Sequence, residues 1–475
     1  MRPLSGTAAG SAASSPSVRR VGQVSFWYAD HGLPQQYRPH LPGETTADVA
    51  IIGAGFTGLW TAYYLRKAAP ELRVVVIEKE FAGFGASGRN GGWCMGTFSW
   101  DHERYAQTQG RALVLEMVKA LESAVPEIAR VCAAEGIDAD LRETEELVLA
   151  TNPSQLQRLQ EEIEYRNHWG DGHRVRLLSE DEVRQRVNVP NTLGAATVSG
   201  MLRVQPAKLV RGLAEAVEGA GAEIYEGTEV LRYGPSAVTT AHGIVRAPII
   251  LRATEGFTAT LPGHRRDWVP LNSAQIATVP LPPEAWAEIG WEGHELIGDL
   301  ANGYCYCQRT REGRITVGSR GVPYRFGSSM DDNGSPDPVT IERLQAILKQ
   351  HFPVAANYPI DHAWCGVVGV PRDWCASVGL DRETGLGWAG GYVGEGVSTS
   401  NIAGQTLADL ALGRETVLTG LPWVNRRLQR WEPEPLRWLG INAMYGLLSA
   451  ADRHERKLTT PATRLAKLGN WITGR

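Results

Sequence analysis

The sequence predicts an α/β fold, α+β overall, organised around a βαβ unit near the N terminus and followed by a strand-rich second half. Three observations carry this expectation. Asp48-Val-Ala-Ile-Ile52 is an apolar, β-branched run of the kind that fills a parallel sheet covered on both faces. The glycine-rich turn Gly53-Ala-Gly-Phe-Thr-Gly58 follows it and leads into Leu59, Ala62, Tyr63 and Arg66 at helical spacing. A second β-branched run, 72–77, completes the unit.

The remaining elements follow along the chain. Residues 1–24 are rich in Ala, Ser and Gly and read as a disordered tail, with order expected to begin near Phe26-Trp27-Tyr28, an aromatic cluster able to anchor the arm. Arg19-Arg20 is reminiscent of a twin-arginine signal, but 21–35 has no apolar stretch and carries Asp30, His31 and Pro34, so cytoplasmic location is expected. Residues 103–135 and 153–169 are expected as helices with polar Glu/Arg faces. Pro206 opens a helix over 208–220, which Gly219 and Gly221 end. Short strands are expected at 222–225, 229–231 and 244–253. Between 268 and 327 strand-like runs alternate with turns, and Arg311-Glu-Gly-Arg314 reads as a hairpin turn. A loop over 328–338 precedes a helix over 340–351. A short strand over 385–391 and a helix over 398–412 close the body. Residues 416–475 hold Trp423, Trp431, Trp438 and Trp471 among many arginines. Pro433 and Pro435 interrupt any continuous amphipathic face, so a helical extension clamped on the body is expected rather than an interfacial membrane helix.

Composition narrows the function. The formal net charge of −4 over 475 residues shows no basic excess, which argues against a nucleic-acid partner. No apolar run reaches the ~18 uncharged residues of a transmembrane helix, so no integral membrane segment is expected. The six cysteines are scattered. Cys305-Tyr-Cys307 would place two thiols on one face of a strand, but no second Cys pair at turn-like spacing accompanies it, so reduced structural thiols and no metal site are expected.

Three motifs carry chemistry. In the first, Gly53 permits a tight turn, Gly55 lets backbone approach a pyrophosphate, and Gly58 allows close helix–strand packing. The helix N-terminus, with Phe56 and Thr57 in its first turn, favours phosphate charge. Glu78 ends the next strand 20 residues after Gly58, where it can accept from ribose hydroxyls and repel a 2′-phosphate; Lys79 follows. This is a Rossmann-like dinucleotide fingerprint. The second motif, Phe81-Ala-Gly83-Phe-Gly85-Ala86-Ser87-Gly88-Arg89-Asn90-Gly91-Gly92, separates FAD from NAD. A flavin protein needs the chain to return along the pyrophosphate and reach the isoalloxazine; Ser87 is expected at phosphate, Arg89 and Asn90 facing the ring. The third is Gly390-Gly391-Tyr-Val-Gly394-Glu395-Gly396-Val397-Ser398, between a strand and a helix, where partial positive charge would raise the electron affinity of a flavin.

With these motifs the chain resembles the D-amino-acid-oxidase/glycine-oxidase superfamily of flavin amine oxidases over about 25–415. Within it, Gly85-Ala-Ser-Gly-Arg-Asn-Gly-Gly92 is similar to the gamma-glutamylputrescine oxidase branch. The resemblance implies a discontinuous FAD-binding domain (25–100, 200–256 and 360–415) interleaved with a mostly antiparallel β-sheet substrate domain with helices (101–199 and 257–359). It also implies that the Val230 backbone lies near the adenine. The activity implied is hydride transfer from the C–N carbon of an amine or amino acid to flavin, with O2 as oxidant. Sarcosine-oxidase-like relatives carry a lysine at the position of Ser398, so their carboxylate clamp is missing here. Cys365, in the stretch where such relatives tether the flavin, lies one residue off the tethering spacing to Asp373, so non-covalent FAD is expected. No catalytic residue is singled out. Arg320 is a candidate for an acidic group on the substrate, and Trp93, Tyr304 and Tyr306 for an aromatic wall beside the amine. No second GxGxxG unit is present, which disfavours an NADPH-reduced monooxygenase. The rival readings are a dehydrogenase of the same fold passing electrons to a quinone or carrier, and a binding protein with structural FAD.

Overall fold

The computed structural model describes residues 18–98, 102–320, 324–330 and 333–456. The first 17 residues of the expected tail, Trp471 of the expected extension, and residues 331–332 of the expected loop lie outside them.

The βαβ unit forms as its pattern dictates. Strand Val49–Ile52 is buried along its whole length and pairs in parallel with Val74–Ile77 on one side and Ile249–Arg252 on the other. Helix Phe56–Ala68 joins the first two strands. Glu223–Tyr225 and Leu386–Gly390 extend this parallel core on either side, and Ser377–Asp381 adds an antiparallel edge, giving six strands drawn from three separate parts of the chain. Helices Pro206–Gly219 and Gly396–Ala411 pack on Phe56–Ala68, the second also on the long helix Arg111–Glu135. Their apolar faces make one core with Trp60, Leu121, Leu213 and Leu407.

The expected strand over 244–253 is two strands. Ile244–Arg246 joins a small sheet with Ala237–Thr240, Val230–Gly234 and Thr45–Thr46, whereas Ile249–Arg252 joins the parallel core. Pro248 divides them, because its nitrogen cannot donate to a ladder.

A ten-stranded mixed sheet stands against this body. Its longest pairing is that of Trp268–Thr278 with Ile360–Pro371, antiparallel over eleven residue pairs. Cys305–Arg309 and Ile315–Ser319 form the predicted hairpin. The sheet also takes Arg142–Ala150, Gly194–Arg203 and Trp93–Met95. Strand Gly194–Arg203 therefore crosses the boundary expected at 199/200, and Ile360–Pro371 belongs to this sheet although it opens the segment assigned to the FAD-binding domain. Backbone pairing between strands remote in sequence sets these boundaries, and motif spacing does not report it.

Two terminal expectations change. Within the stretch expected as tail, Val18–Val21 is a strand parallel to Ile360–Pro371, with Arg20 donating to Asp361 at 2.7 Å. Phe26–His31 is a short helix whose aromatics are buried, Trp27 lying edge-on to Trp364 at 6.1 Å. At the other end Leu436–Glu455 is helical. The Trp423 and Trp431 indoles are buried on the body, and Trp431 donates to the Val370 carbonyl at 2.7 Å. Trp438 is partly buried against the same core. No helix among the described residues is long and apolar enough to cross a membrane.

Candidate active site

The three glycine-rich segments meet at one edge of the parallel sheet. Gly53 leaves its strand at φ 103°, a conformation that disfavours any side chain, and its amide donates to the Ile77 carbonyl. At Gly58 a Cβ would stand 2.0 Å from the Gly53 carbonyl oxygen, so helix and turn pack as closely as backbone allows. The second segment closes on the first. Ser87 Oγ accepts from the Phe56 amide at 2.8 Å, at the start of a helix that has no side-chain cap of its own. The third closes from the far side: Thr57 Oγ1 and the Tyr392 hydroxyl are 2.9 Å apart.

Glu78 stands at the end of its strand and accepts from the amides of Ala54 and Glu80 at 2.8 and 3.0 Å. Burial pushes its carboxyl up to about 7 against those two donors. Thr228 donates to the Glu78 carbonyl, which brings the start of strand Val230–Gly234 beside it. Lys79 is not drawn in: its side chain is exposed and pairs with Glu229 at 3.0 Å.

The loop over 85–92 is held by hydrogen bonds that its own polar residues make. Asn90 Nδ2 donates to the Ser87 carbonyl at 2.8 Å, and Asn90 Oδ1 accepts from the Gly92 amide at 2.8 Å. The expectation that Arg89 faces a flat ring is corrected. Its guanidinium is buried, donates to the Phe84 and Cys365 carbonyls at 2.7 and 3.3 Å, and lies over the Phe84 ring. A fully desolvated arginine needs such acceptors, so its charge serves to pin the loop. From the large sheet, Trp364 and Gln275 both donate to the Arg89 carbonyl, and Gln308 donates to Gly91 and Gly92.

The large sheet also supplies the wall opposite. Tyr306 packs against the position a Gly91 Cβ would take at 3.0 Å, meets Trp93 edge-on at 6.2 Å, and shares a 3.0 Å hydrogen bond with Ser273. Trp93 and Tyr306 are thus brought together as expected of an aromatic wall. Tyr304 flanks Arg320, whose guanidinium lies 5.9 Å from its ring centroid and 4.7 Å from that of Trp374. No carboxylate among the described residues forms an ion pair with Arg320.

Two carboxylates matter that motif reading did not single out for chemistry. Glu255, just past strand Ile249–Arg252, accepts from the Gly391 amide at 2.8 Å and from Gly369 and Tyr392 at 3.3 Å. Burial pushes its carboxyl up to about 7 while those donors oppose the shift. It fixes the third glycine segment, and no local signal announces it. Glu146 lies on the large sheet, its Oε1 and the Trp93 ring edge each 3.5 Å from the position of a Gly298 Cβ. Glu395 sits between Gly394 and Gly396. Burial raises its carboxyl to about 8, Glu146 adds to the rise, and Arg166 opposes it. Val397 and Ser398 continue into helix Gly396–Ala411, and the Ser398 hydroxyl donates to the Met95 carbonyl.

These features fit a flavin dinucleotide. Helix Gly396–Ala411 starts without a side-chain cap, and helix Phe56–Ala68 is capped from outside, by Ser87, as suits N-termini facing a ligand. Gln275 Oε1 is buried without a hydrogen-bond partner, 3.7 Å from the position a Gly91 Cβ would take. A Cβ at Gly394 would meet no atom within 4 Å, so that loop borders open space.

Comparison with known proteins agrees. The model of the DAO family, described as FAD dependent oxidoreductase, matches residues 48–410. A probable oxidoreductase OrdL of Rhizobium meliloti (strain 1021) is 30% identical over 411 residues, covering 82% of this chain and 89% of that protein. The gamma-glutamylputrescine oxidoreductase of Escherichia coli (strain K12) is 28% identical over 402 residues, with the same coverage. The crystal structure of glycine oxidase from Geobacillus kaustophilus superposes with a TM-score of 0.68 at 22% identity, over 81% of this chain and 99% of that one, a likeness of fold.

Proposed function

The chain belongs to the DAO family of FAD-dependent oxidoreductases, and from that premise we propose that it oxidises the C–N bond of an amine or amino acid and returns its electrons to O2. The observation that carries this reading is the convergence of segments 53–58, 85–92 and 390–398 at one sheet edge beneath the wall of Trp93 and Tyr306. Gly53, Gly55, Phe56, Thr57, Gly58 and Glu78 hold the adenosine and pyrophosphate end, with the Val230 backbone beside the adenine. Gly85, Ala86, Ser87, Gly91, Gly92, Gly391, Gly394, Gly396, Val397 and Ser398 hold the flavin end by their backbones, and Arg89 and Asn90 keep that loop in shape. Bound FAD supplies the two-electron acceptor.

The protein residues orient and desolvate. Trp93 and Tyr306 offer ring faces and edges to an amine and exclude water. Arg320, stacked between Tyr304 and Trp374, anchors an anionic end of the substrate. The amine leaves as a carbonyl and free amine or ammonia after hydrolysis of the imine, and two electrons reduce O2 to hydrogen peroxide. Cys365 is fully buried on the large sheet beneath the Arg89 side chain, which supports non-covalent FAD.

The test is anaerobic mixing of the FAD-loaded protein with polyamines, gamma-glutamyl amines, and D- and L-amino acids. Bleaching of the oxidised flavin band by one class, followed by recovery with peroxide when air is admitted, is the expected result. Bleaching that air does not reverse points to a dehydrogenase. A fully loaded flavin that none of these compounds bleaches refutes the amine-oxidation reading.

A further inference from the structure

On the face of the large sheet turned away from Tyr306 lies a cluster that the proposed oxidation does not use. Cys305 and Cys307 alternate with Tyr306 along strand Cys305–Arg309, so they point to the opposite face. Both are buried and carry free thiols. Asp299 ends the neighbouring strand Leu296–Asp299, and His351 ends helix Pro338–His351. One ligand atom each of Asp299, Cys305 and His351 lies within 4.8 Å of the other two.

We propose that these residues bind a zinc ion, with Asp299, Cys305 and His351 as its protein ligands. The geometry supports this in three ways. His351 Nδ1 stands 3.1 Å from the Ile347 carbonyl, an acceptor only, so Nδ1 carries the hydrogen. That leaves Nε2 facing a thiol at 3.5 Å and a carboxylate oxygen at 3.4 Å. A histidine whose outer nitrogen donates to a backbone carbonyl while its inner nitrogen meets sulfur and oxygen is oriented as a metal ligand.

The spacing agrees as well. Tetrahedral zinc with Zn–S of about 2.3 Å, Zn–N of about 2.05 Å and Zn–O of about 2.1 Å sets sulfur and nitrogen about 3.6 Å apart, and nitrogen and oxygen about 3.4 Å apart. Both observed separations fall on those edges, and the 3.4 Å between nitrogen and oxygen exceeds the roughly 2.7–2.9 Å of a charge-assisted hydrogen bond. Finally, the other ligands are placed for the role. The Cys305 amide donates to Asp299 Oδ1 at 2.9 Å, holding Oδ2 toward the histidine. Asp299, Cys305 and His351 give a set of one sulfur, one nitrogen and one oxygen, in which the thiol and the imidazole select zinc over magnesium or calcium. Binding expels the Cys305 thiol proton to solvent and ties two strands to the end of a helix.

This site is independent of the flavin chemistry and is tested on the untagged, FAD-loaded full chain. Elemental analysis after growth with zinc is expected to give one zinc per chain, and Cys305→Ser and His351→Gln to abolish it. Exchange for cobalt is expected to produce a thiolate-to-cobalt charge-transfer band and the intense visible bands of tetrahedral cobalt. A native chain that takes up neither metal stoichiometrically overturns the proposal, as does zinc retained in full by both variants. Should both variants fail to fold, the cobalt spectrum of the native chain decides: its presence supports the site and its absence overturns it.

Discussion

Gly58→Ala tests whether the cofactor cradle depends on backbone contact. Gly58 lies in the first turn of helix Phe56–Ala68, where an added Cβ would stand 2.0 Å from the Gly53 carbonyl oxygen and 3.2 Å from Ile51 Cγ2. An ordinary carbon–oxygen contact is about 3.3 Å, so the start of the helix must retreat by about 1.3 Å. The obstacle is a backbone carbonyl in a buried turn, which cannot rotate aside as a side chain can. Overpacking of this kind costs about 1–3 kcal/mol, and alanine's better helix propensity recovers about 1 kcal/mol. A net loss of up to about 2 kcal/mol results, and it falls on the amides proposed to face the pyrophosphate. FAD affinity should drop about tenfold, since about 1.4 kcal/mol is a factor of ten.

Gly440→Ala is the internal control. It lies in helix Leu436–Glu455, a Cβ there meets no atom within 4 Å, and the same change should stabilise by up to about 1 kcal/mol. Thermal unfolding followed by circular dichroism, with FAD titration followed by flavin fluorescence, measures both. If Gly58→Ala keeps the parent's Tm and FAD affinity while Gly440→Ala raises Tm, the steric reasoning is wrong.

Three further outcomes are expected. Arg320→Leu should raise KM about tenfold or more for substrates with a carboxylate and leave neutral amines within about twofold, as loss of one charged hydrogen bond predicts; steady-state kinetics on matched substrate pairs checks it. Ser87→Ala removes the acceptor of the Phe56 amide and should cost about 1 kcal/mol, read as a lower Tm of the FAD-loaded protein. Glu395 binds its proton more tightly in the folded chain than the ordinary 4.5 of an unfolded glutamate, because burial raises it to about 8 with Glu146 assisting. Its stabilising contribution is therefore complete at acid pH and lost as pH rises through about 8. Glu395→Gln should flatten the fall in Tm between about pH 4.5 and pH 8, and an unchanged Tm–pH curve there would speak against the buried, protonated carboxyl.

Much of the site was legible because its chemistry is local. A buried β-branched run, a GxGxxG turn and an acidic residue at the end of the next strand specify a βαβ unit by backbone sterics alone, and strands Val49–Ile52 and Val74–Ile77 with helix Phe56–Ala68 form within a residue or two of their predicted places. The same applies to helix Pro153–Trp169, with its Asn152 cap, and to the hairpin at 311–314. Trp93 and Tyr306, expected by residue type as parts of one aromatic wall, do meet edge-on in the structure.

What the sequence by itself determined, then, were the elements and loops whose geometry neighbouring residues impose. Only the tertiary structure decided which remote residues meet them. Arg89 reads as a ring-facing cation until burial requires acceptors for it, and those are carbonyls at Phe84 and, across the fold, Cys365. Glu255 holds a loop more than a hundred residues away through backbone amides that carry no side-chain signature. Val18–Val21 looks like tail because its pairing partner, Ile360–Pro371, lies at the other end of the chain. Cys305 lacked further metal ligands at any local spacing, since Asp299 and His351 arrive from a neighbouring strand and from a helix. Long-range pairing and burial are properties of the closed fold. A short-range pattern records them only where the partners are also neighbours in sequence.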